Sequence, residues 1–147
     1  MEFTDKVSKR LNQLLEKNYD AEKGYKDAAE RVENPKMKDF LSEQAQKRYD
    51  FGHQLKSEIK NYGKSPDKGG SVKGAAHRAW MDLKAAVSSD KHENIMEEVQ
   101  RGEQSAINEY DEVIAEDLPP TTKDILVKQR EEIKQAQQSA KNFEVIS

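Results

Sequence analysis

Apolar and small residues recur along this chain at alternating steps of four and three, the spacing that keeps one face of a helix turned toward its neighbours. A first stretch carries Val7, Leu11, Leu14, Asn18, Ala21, Tyr25, Ala28 and Val32 and predicts a helix over residues 4–33. A second carries Met37, Leu41, Gln44, Arg48, Phe51, Leu55, Ile59 and Tyr62, over residues 35–62. It is entered at Asn34-Pro35, where asparagine suits the cap and proline the first helical position. A third, over 91–117, places Met96, Val99, Glu103, Ala106, Tyr110 and Val113 on its seam and stops at Leu118-Pro119-Pro120. The fourth, over 122–143, aligns Leu126, Gln129, Ile133, Ala136, Ala140 and Phe143. Between the second and third lies a Gly- and Lys-rich loop, then a shorter helix over 75–88 with Trp80, Met81, Leu83 and Val87.

Short connections make the first and second helices, and the third and fourth, antiparallel hairpins. A connection of about 28 residues between the hairpins must run back along the bundle. The prediction is therefore all-α: one domain over 1–147, a ferritin-like four-helix bundle whose long crossover holds a short extra helix.

Composition adds limits. Only 34% of the residues are hydrophobic and 36% are charged, so the core is thin and the helices have wide solvated faces. The 25 basic and 28 acidic residues nearly balance, which gives no global attraction to nucleic acid or to anionic lipid. There is no cysteine, so disulfides and thiolate metal sites are excluded. No stretch approaches the roughly 20 apolar residues of a membrane span, and the first residues have no apolar signal core. The expected location is the cytoplasm, with no membrane or nucleic-acid partner. A homodimer is the expected assembly, since amphipathic helical faces often pair; no specific protein partner is indicated.

The crossover carries the most specific signature. The run Gly70-Ser71-Val72-Lys73-Gly74-Ala75-Ala76-His77-Arg78-Ala79-Trp80-Met81-Asp82-Leu83 resembles the G-S-x-x-G-x-x-H-R-x-W-x-D-L motif of an uncharacterised bacterial family within the ferritin-like superfamily, similar to stress-induced ferritin-like proteins. The likeness continues through Asp20-Ala21-Glu22-Lys23-Gly24-Tyr25, Glu98-Val99-Gln100-Arg101-Gly102-Glu103 and Asp117-Leu118-Pro119. It implies a ferritin-like fold and a stress-linked role without an established activity. Where relatives tend to carry an Asn-His-Asp stretch, this chain reads Ala136-Gln137-Gln138.

Two carboxylates invite a metal reading. A two-metal centre in such a bundle takes one Glu from each of two helices and a Glu-x-x-His pair from each of the others, because residues three apart share a helical face. Glu22 and Glu103 suit the lone positions as metal ligands. The pairs are missing: His53, His77 and His92 are preceded three residues earlier by Asp50, Gly74 and Ser89. The seam of the second helix instead turns Gln44 and Arg48 inward. The favoured expectation is a buried polar network of Asn18, Glu22, Gln44, Arg48, Glu103 and Gln129, in which Arg48 neutralises the carboxylates and no cofactor is bound. The alternative is a degenerate iron- or manganese-binding bundle with oxidoreductase or metal-storage activity. His77, Arg78 and Trp80 are read as the anchor of the crossover. No phosphate loop, nucleophile elbow or Cys/His dyad is present, which reads against an enzyme.

Overall fold

The computed structural model describes residues 3–67, 80, 83, 85–87 and 92–143, with the backbone alone at His92. Four long helices carry the fold: α1 (Phe3–Arg31), α2 (Pro35–Asn61), α3 (His92–Ile114) and α4 (Pro120–Lys141). Trp80, Leu83 and residues 85–87 of the crossover are also helical.

Local chemistry sets the ends. The Asn34 side chain accepts from the Met37 amide at 2.9 Å and Pro35 opens α2, so α1 gives way at Arg31, two residues before the sequence pattern ends. α3 stops at Ile114, three residues short of the predicted 117, and α4 starts at Pro120 on a Pro119 cap. Proline at the first helical position loses no hydrogen bond, so it can begin a helix two residues ahead of Thr122. Thr122 is buried and donates to Glu58 Oε2 at 2.7 Å, and the Tyr62 hydroxyl lies 2.6 Å from its oxygen. It ties α2 to α4.

Every neighbouring pair is antiparallel. Arg10 meets Glu116 and Asn18 meets Tyr110 between α1 and α3; Gln54 meets Gln129 between α2 and α4; Asp111 meets Arg130 between α3 and α4. α2 and α3 therefore point the same way, and the crossover has to travel the length of the bundle. It starts along α1, where Asp67 receives the Tyr19 hydroxyl and donates its amide to Asn12.

The core falls into two clusters. One packs Leu11, Leu14, Leu15, Phe51, Leu55, Ile59, Ile107, Leu126 and Ile133. The other packs Tyr25, Met37, Leu41, Ile95, Val99 and Ala140 with Trp80, Leu83 and Val87 from the crossover. α4 puts only Ala140 into this cluster, and the crossover residues pack there. Trp80 is wedged between two glycines, with its ring centroid 4.7 Å from that of Tyr25. A Cβ on Gly24 would lie 2.9 Å from Trp80 Cβ and Cε3, and one on Gly102 would lie 3.1 Å from Cζ2.

These clearances decide the sign of glycine substitutions. Gly→Ala inside a helix gains roughly 0.5–1 kcal/mol from backbone entropy. At Gly52 the added Cβ would meet only Leu15 Cδ1 at 3.6 Å, so Gly52→Ala should stabilise by about that amount. At Gly24 it would strike Trp80, and overpacking of roughly 1–3 kcal/mol should win. Urea unfolding of the two variants checks this: Gly52→Ala moves the midpoint up and Gly24→Ala moves it down.

Candidate functional site

Between the two apolar clusters lies a polar layer, reached by all four helices. Its centre is Arg48, on the inward seam of α2 and fully buried. One guanidinium nitrogen donates to Asn18 Oδ1 at 2.7 Å, and another to Glu103 Oε1 in a short ion pair. Asn18 passes its own amide to the Leu14 carbonyl at 2.8 Å and to the Tyr110 hydroxyl at 2.9 Å. Tyr110 donates to Gln129 Oε1 at 2.6 Å, and Gln129 donates to Gln54 Oε1 at 2.8 Å. Gln54 is exposed, so the chain ends at solvent. Every link donates away from Arg48. The cation polarises the whole series in one sense, and bonds aligned this way strengthen one another.

On the far side, the buried Tyr25 hydroxyl adjoins the Glu103 carboxylate. Burial raises the Tyr25 pKa well above its usual 10.0, and the Glu103 charge adds to that. Tyr110 is pushed up to about 12, chiefly by burial. Burial works against the Arg48 charge, but Glu103, Tyr25 and Tyr110 outweigh it, and Arg48 is held more firmly protonated than usual. Glu103 goes the other way: burial raises its pKa above 4.5 even though Arg48 pulls it down. Loss of hydration on the buried carboxylate exceeds what the Arg48 guanidinium and the Tyr25 hydroxyl return.

The sequence-predicted residues thus separate. Asn18, Arg48, Glu103 and Gln129 come together. Gln44 is buried one turn before Arg48 without joining the hydrogen-bonded chain. Glu22 is not in the layer. It is half-buried in a groove on the outer α1–α2 surface with Lys26, Ala29, Ser42, Ala45, Gln46 and Tyr49. One residue past the seam position of Ala21 rotates a side chain by about 100°, onto the flank. Tyr25, four past Ala21, stands on the seam and takes the place beside Glu103. Asp50 and His53 are exposed: Asp50 accepts from Gln46 and His53 stacks edge-on against Tyr49. His77 and Arg78 lie outside the described residues. Sequence reasoning passed over Gln54, which sits on an exposed face. Tyr25 and Tyr110 were visible only as members of the helix seams.

The described residues do not bring a two-metal ligand set together. Glu22 lies in the outer groove, while Glu103 is buried against Arg48. Among the described residues no three His, Cys, Asp or Glu side chains are grouped to hold an ion. On α4, Gln137 donates to the Gln100 carbonyl at 3.3 Å and to Gln104 Oε1 at 2.9 Å.

Comparison with known proteins agrees with this architecture. A family model described as "Domain of unknown function (DUF2383)" matches residues 6–116. The chain belongs to the DUF2383 family. No curated protein matches the sequence. Among solved structures, the DUF2383 chain is similar to a point mutant of Dps1 from Mycobacterium smegmatis, with a TM-score of 0.78 and 17% identity. The alignment covers 97% of this chain and 98% of that one, and at this identity it speaks for the fold: a ferritin-like bundle. Among the described residues, no helix is long and apolar enough to cross a membrane.

Two outcomes test the electrostatics. Arg48→Ala should cost roughly 3–5 kcal/mol, because it leaves the Glu103 carboxyl buried without its partner. Combined with Glu103→Gln, Arg48→Met should cost clearly less than the two single changes added together; a coupling near zero in the double-mutant cycle would count against the pair. The second outcome concerns pH. Because the folded-state pKa of Glu103 lies above 4.5, its contribution is fully present below that value and is lost as pH rises through the folded-state pKa. Gln does not titrate, so the stability difference between wild type and Glu103→Gln isolates this group. Urea midpoints taken from about pH 4 to about pH 8 should show the wild type losing ground to the variant as pH rises. The opposite slope would mean that Arg48 sets the pKa.

Proposed function

We propose that this protein is a non-enzymatic, stress-associated ferritin-like bundle in which a buried ion-pair network stands where relatives of the fold hold two metals. The observation that carries the reading is Arg48, whose guanidinium joins Asn18 of α1 to Glu103 of α3 at the centre of the bundle. A cation fixed there supplies the positive charge that makes an inward carboxylate tolerable. It also repels a metal ion from the one buried glutamate of the layer. The layer offers no nucleophile with an adjacent base, and its tyrosines are held protonated. The stress association rests on the family resemblance of the crossover motif. The chain works through its surface or through self-association, as a cytoplasmic homodimer.

Elemental analysis after iron or manganese loading tests this. Purified protein should retain well below one metal per chain after desalting. Close to two metals per chain would replace this reading with an oxidoreductase or metal-storage bundle.

A further inference from the structure

Among the described residues two large hydrophobic side chains are exposed, Phe3 and Tyr49. Tyr49 lies midway along α2, at the border of the groove between the outer faces of α1 and α2. The ring of His53, one turn further on, stands edge-on to it, with 4.5 Å between centroids. A tyrosine braced in this way gives up little rotamer freedom when another surface packs on it. The groove beside it is lined by small side chains, Ala29, Ser42 and Ala45, which let a facing helix come close. It also carries one acid and one base, Glu22 and Lys26, a single turn apart on α1. Neither makes an ion pair with a described residue, whereas Lys47 and Glu43 on α2 are paired with each other.

We infer that this face binds a second copy of the chain about a two-fold axis running across the helices. The two α1 helices then lie antiparallel, and Glu22 of each copy meets Lys26 of the other. The inference rests on the self-association reading above and names the surface that carries it. A two-fold contact requires that each surface be its own complement. An acid and a base one turn apart meet that condition, because reversing α1 exchanges their places. A partner of one sign, such as nucleic acid or a basic peptide, would leave one of the two facing a like charge. Tyr49 and the small residues supply the apolar contact beside these pairs, and a tyrosine at such a centre is a common source of binding energy. The face is also large enough. α2 has 27 residues. At 1.5 Å per residue that is about 40 Å, and two helices side by side are about 20 Å wide, which gives about 800 Å² per copy, the area of a standard stable interface.

Sedimentation of the full chain over a dilution series tests this. Glu22→Lys and Lys26→Glu should each weaken self-association about tenfold or more, since each variant sets like charges against one another twice in the dimer. An equimolar mixture of the two variants should associate as tightly as the unmodified chain, because the mixed dimer restores both Glu–Lys contacts. Tyr49→Ala should also weaken the dimer about tenfold or more. All three side chains reach the surface, so far-ultraviolet circular dichroism should show the same helix content in every variant. Variants that dimerise as tightly as the unmodified chain, or a mixture no tighter than its components, would overturn this face while leaving the homodimer standing. An unmodified chain that is monomeric at every concentration would overturn both and leave the groove to a partner of another kind.

Discussion

A guanidinium at the centre of a helical bundle has to be neutralised and hydrogen-bonded where it stands, because it cannot reach water. That requirement organises the polar layer of this protein. Arg48 needs an anion, which α3 supplies as Glu103, and a neutral acceptor, which α1 supplies as Asn18. Using the Asn18 oxygen on Arg48 turns its amide toward Tyr110 and the Leu14 carbonyl. Tyr110 then has its acceptor lone pair engaged and gives its proton to Gln129. Each residue's orientation follows from the one before it. A helix sliding by one turn would break several of these bonds at once, so the layer fixes the register of all four helices, which leucine and alanine contacts alone leave loosely determined.

The same layer explains why the core is divided. Apolar packing cannot run continuously through a plane of charged and amide groups, so the two clusters form on either side of it. Their makeup differs because the helices differ. α4 begins with Leu126 and Ile133 and ends with Ala136 and Ala140, so it fills one half and leaves the other open. Trp80 and its neighbours are large enough to occupy that opening, and the glycines at 24 and 102 let the indole approach the backbones closely. The long crossover is thus a fifth packing element, needed because the fourth helix tapers.

Much of this was legible in the sequence. A four–three alternation interrupted by Asn18, Arg48, Glu103 and Gln129 names four members of the layer, since a polar residue on a seam has to meet another one. The interruption gives levels along a helix but not angles around it. Glu22 was therefore grouped with Glu103 at the right height although it faces an outer groove. Tyr25, whose ring satisfies an apolar seam by itself, gave no sign of its part beside the carboxylate. Gln54 was hidden for the converse reason: an exposed glutamine reads as solvated surface until the tertiary fold brings Gln129 within reach. The early start of α4 was hidden by the second proline of Pro119-Pro120, which reads as a breaker although it is compatible with a helical first turn.

The energetics of the pair bear on why such a layer persists. A buried ion pair is weak support for stability, and apolar side chains of similar volume often serve as well or better. Here the balance is visible in opposite directions on the two partners: Arg48 is held charged, while Glu103 is driven toward its neutral form by burial. The contribution of such a layer is then to be sought in specificity of arrangement more than in free energy. A chain that is only 34% hydrophobic has little apolar pattern with which to distinguish one helix register from the next. Charge pairs such as Arg101 with Glu98 and Lys47 with Glu43 lie within a single helix, so they do not distinguish one register between helices from another. In such a protein a single intolerant contact at the centre does the discriminating. Arg48 meets that need because its planar, permanently charged head addresses two helices at once and cannot shed its proton when misplaced.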